Sequence, residues 1–230
     1  MSDSEQFELW FNNQSGAGGK ACVYQSLSNV TFSGTGLQQL AWLMAGANPS
    51  VWVRFVWTVQ YGFIWIDYGP VDSFQKVAAD PVTANKVTLS HNDHGFYFGT
   101  PQASTPSGSL IVVEDATVPA LNSAVVGITM GGAPGFGTPA APNRTAVFTP
   151  ASTSALSYCI TFGSYTFQVG DVITPLTLNP AGLVTFTGTS VMTAVLDATN
   201  SWKVTPGGPP RTAAAAYVTC FAEIQPIGSE

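Results

Sequence analysis

Charge is what this sequence has least of. Asp, Glu, Lys and Arg together make up 9% of its residues, against about 25% in an average soluble domain. The surface must therefore be built largely from hydroxyls, side-chain amides, glycine and bare backbone. Such a surface repels copies of itself weakly, although the net charge of −6 still favours solubility. The seven Lys and Arg residues are scattered singly. They leave no basic footprint able to displace counterions from nucleic acid, and they disfavour an anionic membrane surface for the same reason. No run of about 18 apolar residues occurs, so no transmembrane helix is expected. The N-terminus, MSDSEQFELWF, lacks a basic n-region and an apolar h-region, so it does not read as a signal peptide. The sequons at Asn13, Asn29 and Asn143 then carry little weight. The expectation is a cytoplasmic protein, with export without a cleaved signal left open.

Cysteine and histidine are scarce too. Cys22, Cys159 and Cys220 are far apart, without metal-ligand spacing, and each sits in an apolar, strand-like context. Buried reduced thiols are expected. The two histidines, His91 and His94, share the stretch SHNDHG with Asp93. An H-x-D pair opens the facial triad of non-haem iron oxygenases, but that triad takes its second histidine from a distant strand. Here the only other histidine follows Asp93 directly, and neighbours on an extended chain point to opposite sides. His91, Asp93 and His94 are thus weak metal candidates, and NDHG reads as a hairpin tip. No cofactor is implied.

Catalytic motifs are missing as well. GxSxG does not occur. GGAPGFG (131–137) has no Lys-Ser/Thr and no following helix pattern, so it reads as a flexible connection with Phe136 as an exposed aromatic knob. Paired carboxylates for glycoside hydrolysis are conceivable among Asp67, Asp72, Asp80, Asp93, Glu114, Asp115, Asp171 and Asp197. Most of these lie beside Gly, Pro, Asn or Thr, as turn formers do. The expectation is a non-enzyme.

What is present is a β rhythm. Within VWVRFVWTVQYGFIWI (51–66), Val51, Val53, Phe55, Trp57, Val59, Tyr61, Phe63 and Trp65 form an unbroken odd-numbered apolar row. Period two over that span means strand with one wholly buried face. Sixteen residues at about 3.3 Å each would span roughly 53 Å, which predicts a bend or bulge near Gly62. Further strands are predicted at 7–11, 20–25, 86–90, 95–99, 109–114, 123–130, 145–149, 157–163, 183–188, 191–197, 201–204 and 215–222, separated by Gly- and Pro-rich turns. GLQQLAWLMAGANP (36–49) is the one plausible helical piece, stopped by Pro49. The pattern predicts an all-β protein: a two-sheet β-sandwich of jelly-roll type with one short helix and an extra C-terminal strand. Residues 1–204 read as one domain and 205–230 as an appended tail.

Several segments resemble the rhizosphere-induced protein, or RhiA, family of plant-associated bacteria. They are NNQSGAGGKACVYQ (12–25), LAWLMAGANP (40–49), VRFVWTVQYGFIW (53–65), AADP (78–81), GSLIVVEDATVP (108–119), AVVGITMGGAPGFGTPAAPN (124–143), FTP with YCITFG (148–150 and 158–163), and VMTAVLDATNSWKV (191–204). Coverage runs over about residues 7–204. The resemblance implies an abundant protein of a plant-associated bacterium, made under cell-density control, with no catalytic residue to carry over. The SHNDHG pair and the tail past Val204 depart from the family pattern.

That tail ends in a strand with two usable faces. Tyr217, Thr219 and Phe221, with Ile224 beyond them, are the assembly candidates. The tail strand suits an edge of its own sheet or of a neighbouring subunit's. The leading expectation is a non-catalytic, self-associating structural or interaction protein, a homo-oligomer or polymer joined through this strand. The alternative is a carbohydrate-binding, lectin-like module stacking glycans on Trp52, Tyr68, Phe136 or Trp202. A metal-dependent oxygenase on the His91/Asp93/His94 loop is a weaker alternative.

Overall fold

Apolar and polar residues alternate along most of the chain, and the backbone answers with strands almost throughout. The computed structural model describes residues 6–69, 73–153, 156–174, 178–210 and 217–221. In chain order its strands are Gln6–Asn13 (β1), Gly19–Gln25 (β2), Val30–Ser33 (β3), Gln38–Leu40 (β4), Leu43–Ala47 (β5), Trp52–Thr58 (β6), Tyr61–Asp67 (β7), Ser73–Ala78 (β8), Lys86–Asn92 (β9) and Gly95–Phe98 (β10). Then follow Leu110–Glu114 (β11), Ala124–Met130 (β12), Ala133–Pro139 (β13), Arg144–Pro150 (β14), Ser157–Gly163 (β15), Val172–Ile173 (β16), Gly182–Thr185 (β17), Val191–Leu196 (β18), Trp202–Pro206 (β19) and Tyr217–Phe221 (β20). Among the described residues, no helix is long and apolar enough to cross a membrane.

These strands make four sheets. Sheet A runs β19-β18-β1-β6-β20 and sheet B runs β17-β15-β2-β5; sheet C runs β10-β9-β11-β14-β3 and sheet D runs β16-β4-β13-β12-β7-β8. Inward side chains of A and B share one core, among them Phe7, Leu9, Phe11, Phe55, Trp57, Tyr158 and Ile160. Those of C and D share a second, among them Phe63, Trp65, Leu89, Leu110, Val126 and Phe148. A smaller cluster of Cys22, Tyr24, Ala41 and Ile173 lies with partly buried Met44, Cys159, Phe167 and Leu178.

The all-β expectation therefore holds, with two corrections. Four sheets in two sandwiches replace the single two-sheet jelly roll. The chain passes between the sandwiches after β2, β4, β6, β14, β15 and β16, a traffic that alternation alone does not reveal. The predicted helix at 36–49 is instead β4 and β5, and a short 3-10 turn lies ahead of them at Leu27–Asn29. Leu40, Ala41, Trp42 and Leu43 are consecutive and all fully buried. A surface helix would turn one of these four to water. The extended corner instead sends Ala41 to the small cluster and Trp42 and Leu43 to the A/B core.

The odd-numbered row at 51–66 turns inward, with Val51, Val59 and Tyr61 only partly buried, and it is divided between two cores. Val53, Phe55 and Trp57 on β6 enter the A/B core, and Phe63 and Trp65 on β7 enter the C/D core. The break falls between Thr58 and Tyr61, where Gly131 N–H donates to the Gln60 carbonyl at 2.8 Å. It does not fall at Gly62. That glycine lies inside β7, where a Cβ would come within 2.6 Å of Thr129 Oγ1 and 2.8 Å of the Val77 carbonyl. Its role is close approach of neighbouring strands.

Met130, the last residue of β12 in sheet D, joins the sandwiches by reaching into the A/B core. Trp42 Nε1 donates to its carbonyl at 2.9 Å. Its sulfur accepts from Gln25 Nε2 at 3.3 Å and Tyr158 Oη at 3.5 Å. Trp42 stacks on Tyr158 at 5.2 Å and meets Trp57 edge-on at 5.0 Å. Beside them Asn29 donates to Gln25 Oε1 at 2.7 Å and to the Ser157 carbonyl at 2.6 Å. Each polar group in this junction has a partner, as buried polar groups require.

Glu114 on β11 is the other buried polar anchor. It accepts from Ala141 N–H at 2.5 Å and Arg144 Nε at 3.1 Å, with its side chain wholly removed from solvent. Burial pushes its carboxyl above the ordinary glutamate range, against the pull of the Ala141 N–H and Arg144.

Two outcomes follow. Trp42→Ala is expected to cost about 3–5 kcal/mol of stability. Trp42→Phe keeps most of the ring but removes the indole's hydrogen bond to the Met130 carbonyl, for about 0.5–1.5 kcal/mol; urea denaturation measures both. For Glu114, a folded pKa above the unfolded one means that its contribution is most favourable below the unfolded pKa. That contribution falls as pH rises towards the folded value. Glu114→Gln should therefore compare worst with the parent at acid pH and improve as pH rises. A gap that widens with pH, in denaturation midpoints taken across a pH series, would show the ion pair outweighing burial.

Candidate functional site

Sheet A has an inner face committed to the core and an outer face with an unusual composition. Because Leu9, Phe11, Val53 and Phe55 point inward, their neighbours Glu8, Trp10, Trp52, Arg54 and Val56 point the other way. The register of β20 puts Tyr217 beside Trp52, Thr219 beside Arg54 and Phe221 beside Val56 on that outer face. Two residues proposed for different purposes, Trp52 for stacking and Tyr217 for assembly, are therefore neighbours.

The outer face is organised around Arg54. Its guanidinium pairs with Glu8 on β1 through Nη2 to Oε1 and through Nε to Oε2 at 3.0 Å. It also lies 5.6 Å over the Trp10 ring, a cation–π distance. The Tyr217 ring meets Trp10 edge-on at 4.9 Å. The Arg54 guanidinium holds the Glu8 carboxyl below the usual range, and Glu8 raises Arg54 in turn. Trp10 itself is buried, with the chain after β19 laid beside it. Thr193 Oγ1 donates to the Gly207 carbonyl at 2.7 Å, and Gly208 approaches the Trp10 indole. Sequence reading did not single out Glu8 or Arg54. Their signal is one charge of each sign in the outer rows of two strands, and the pairing of those strands is not local.

β20 closes this sheet. It runs parallel to β6, and the Cys220 thiol turns inward to the Met44 carbonyl on β5 at 3.4 Å. Burial raises the Cys220 pKa. No other described strand pairs with β20, and Tyr217, Val218 and Phe221 are 45%, 52% and 62% exposed. Its five residues carry no charge and no proline. The opposite edge of sheet A, β19, carries Lys203 and Pro206, two common protections of an open edge. Ile224, the remaining assembly candidate, lies outside the described residues.

The other candidates fall elsewhere. Trp202 borders a groove of about 270 Å³ with Phe162, Asn179, Pro180, Leu196 and Asn200. Its Nε1 donates to the Pro180 carbonyl at 2.9 Å, and Phe11 packs on the ring at 5.7 Å. Gly182 lies so close that a Cβ there would sit 3.0 Å from the indole Cγ and Cδ2. Tyr68 is half-buried and donates to the Gly170 carbonyl at 2.5 Å. Phe136 is not a knob, being 2% exposed in the C/D core. The supposed flexible connection is β13, whose glycines let it lie against β12; a Cβ on Gly127 would collide with the Phe136 carbonyl. His91, Asp93 and His94 belong to the β9–β10 hairpin, with Asp93 and His94 at its tip and His91 against the Phe96 ring at 4.8 Å. Among the described residues, no group of three His, Cys, Asp or Glu is placed to hold a metal.

The carboxylates are mostly occupied with backbone. Asp80 accepts from Val82 and Thr83 N–H, Asp115 from Thr117 N–H, Asp171 from Gln168 N–H, and Asp197 from Thr199 and Ser201 N–H. Asp67 accepts from Ser123 Oγ at 2.6 Å, and Asp72 lies outside the described residues. The three cysteines are free, and burial pushes the Cys22 thiol up to about 12.

Comparison with known proteins finds matches at the level of sequence. Protein RhiA of Rhizobium leguminosarum bv. viciae is 28% identical over 215 residues, covering 90% of this chain and 89% of that protein. No solved structure matches the chain. The RhiA family model matches residues 4–207, all four sheets without β20, and the chain belongs to the RhiA family.

Proposed function

We propose that this RhiA-family chain is a non-catalytic, self-associating structural or interaction protein, and that it associates through the β20 edge of sheet A. One observation carries the reading. Among the described residues β20 is an edge strand, with neither charge nor proline, and three of its five side chains are large and exposed. Edges of this kind template pairing with another chain unless something blocks them. The low overall charge supports the same reading, since 9% charged residues give little repulsion between copies.

A lectin-like module is the second reading, and the Trp202 groove favours it. An aromatic ring stands there beside Asn179 and Asn200. With Phe11 and Gly182 already packed on that ring, a sugar would meet its edge and the two amides rather than stack on its face.

For self-association, light scattering on a sizing column is the test. The full chain should run at a multiple of its 24.1 kDa mass. The Val218→Lys/Phe221→Lys double variant should run at lower mass with an unchanged far-UV spectrum. A full chain of single mass at every concentration would refute the reading. For the lectin reading, calorimetric titration against a glycan panel should give heat that Trp202→Ala abolishes, and silence at high protein concentration would sink it.

A further inference from the structure

We infer that β20 pairs with β20 of a second copy of this chain, antiparallel across a twofold axis, to give a closed dimer. This rests on the self-association reading above and names its partner and symmetry. The strand Tyr217-Val218-Thr219-Cys220-Phe221 reads nearly the same in both directions about Thr219. Laid antiparallel on itself, it sets Tyr217 opposite Phe221 of the second copy, Val218 opposite Cys220, and Thr219 opposite Thr219. Aromatic–aromatic and Thr–Thr pairs are among the favourable cross-strand neighbours. The twofold keeps each row on its own side: Tyr, Thr and Phe on the outer face, Val and Cys on the other, where Cys220 packs on the core and Val218 is exposed. β20 brings no charge to the axis, so no like charges meet there. The nearest charge on β6, Arg54, is already paired to Glu8.

The competing arrangement is head-to-tail. It would stack β20 of one copy on β19 of the next and continue without end. Through the chain of pairings in sheet A, β19 and β20 run in the same direction. That contact would be a parallel ladder, slightly the weaker kind. Its receiving edge carries Lys203 and lacks the N–H of Pro206. The twofold contact has neither handicap. It joins two five-stranded sheets A into one of ten. The Cys220–Met44 contact ties β20 to β5, so the edge of sheet B stands beside that of sheet A at the same seam.

The test uses the full chain. Light scattering should give twice 24.1 kDa, with no growth to larger species as concentration rises. Thr219→Cys, treated with a short bis-maleimide, should give a covalent dimer in high yield on a denaturing gel. Lys203→Cys should stay at the background of the unsubstituted chain, in which the Cys220 thiol faces inward. A ladder of ever larger species, or cross-linking through Lys203→Cys, would overturn the twofold and leave self-association standing. A dimer that Thr219→Cys fails to cross-link would overturn the β20 contact. A unit mass at all concentrations would overturn both this inference and the reading beneath it.

Discussion

The hydrogen bond from the Trp42 indole to the Met130 carbonyl sits where two cores meet. Met130 ends a strand of sheet D, yet its side chain packs in the A/B core among Trp42, Trp57 and Tyr158. Neither sandwich is complete without the other at this point. The constraint explains the break between β6 and β7. The long apolar row must serve both cores, and a straight strand can line only one of two stacked sandwiches. Gln60, at the corner, gives its carbonyl to Gly131, one residue past Met130.

Strand content was legible in the sequence because period-two alternation is local. The long strand predicted at 51–66 is divided into β6 and β7, the other predicted strands are present within a few residues, and β3, β4, β5, β8, β13 and β16 carried too weak an alternation to be read. What was not legible depends on partners far away in sequence. Residues 36–49 have apolar spacing compatible with a helix, and only their pairing with β13 and β2 makes them strands. Phe136 reads as an exposed ring among glycines until Gly127 and Gly137 are seen to bring the backbones of β12 and β13 into close approach. The division into two cores was hidden for a similar reason, since an apolar row looks the same whichever core it enters.

The candidate surface was half legible. A two-faced strand at 217–221 and off-row aromatics such as Trp52 could be named. That they stand side by side could not, because it follows from a parallel pairing between strands separated by most of the chain. Glu8 and Arg54 were missed, and Trp10 could be named only as an aromatic near a strand end. In a chain with so few charges, a well-partnered surface pair is itself informative. It fixes the outer face of β1 and β6 beside β20, and so fixes the platform on which that strand lies.

Sheet A also has a consequence for biogenesis. Leu9 on β1 lies beside Met192 on β18 in parallel register, and β19 and β20 are added from still later in the sequence. β1, at Gln6–Asn13, thus waits for Val191–Leu196 before its second neighbour arrives. Pairings between such distant segments are slow to form, because loop closure precedes any gain from contact. Until then Leu9, Phe11 and Trp10 have no finished sheet to shelter in. A nascent chain of this kind completes sheet A later than its other three sheets, and the apolar side chains of that sheet are exposed to association with neighbours on the same message in the interval.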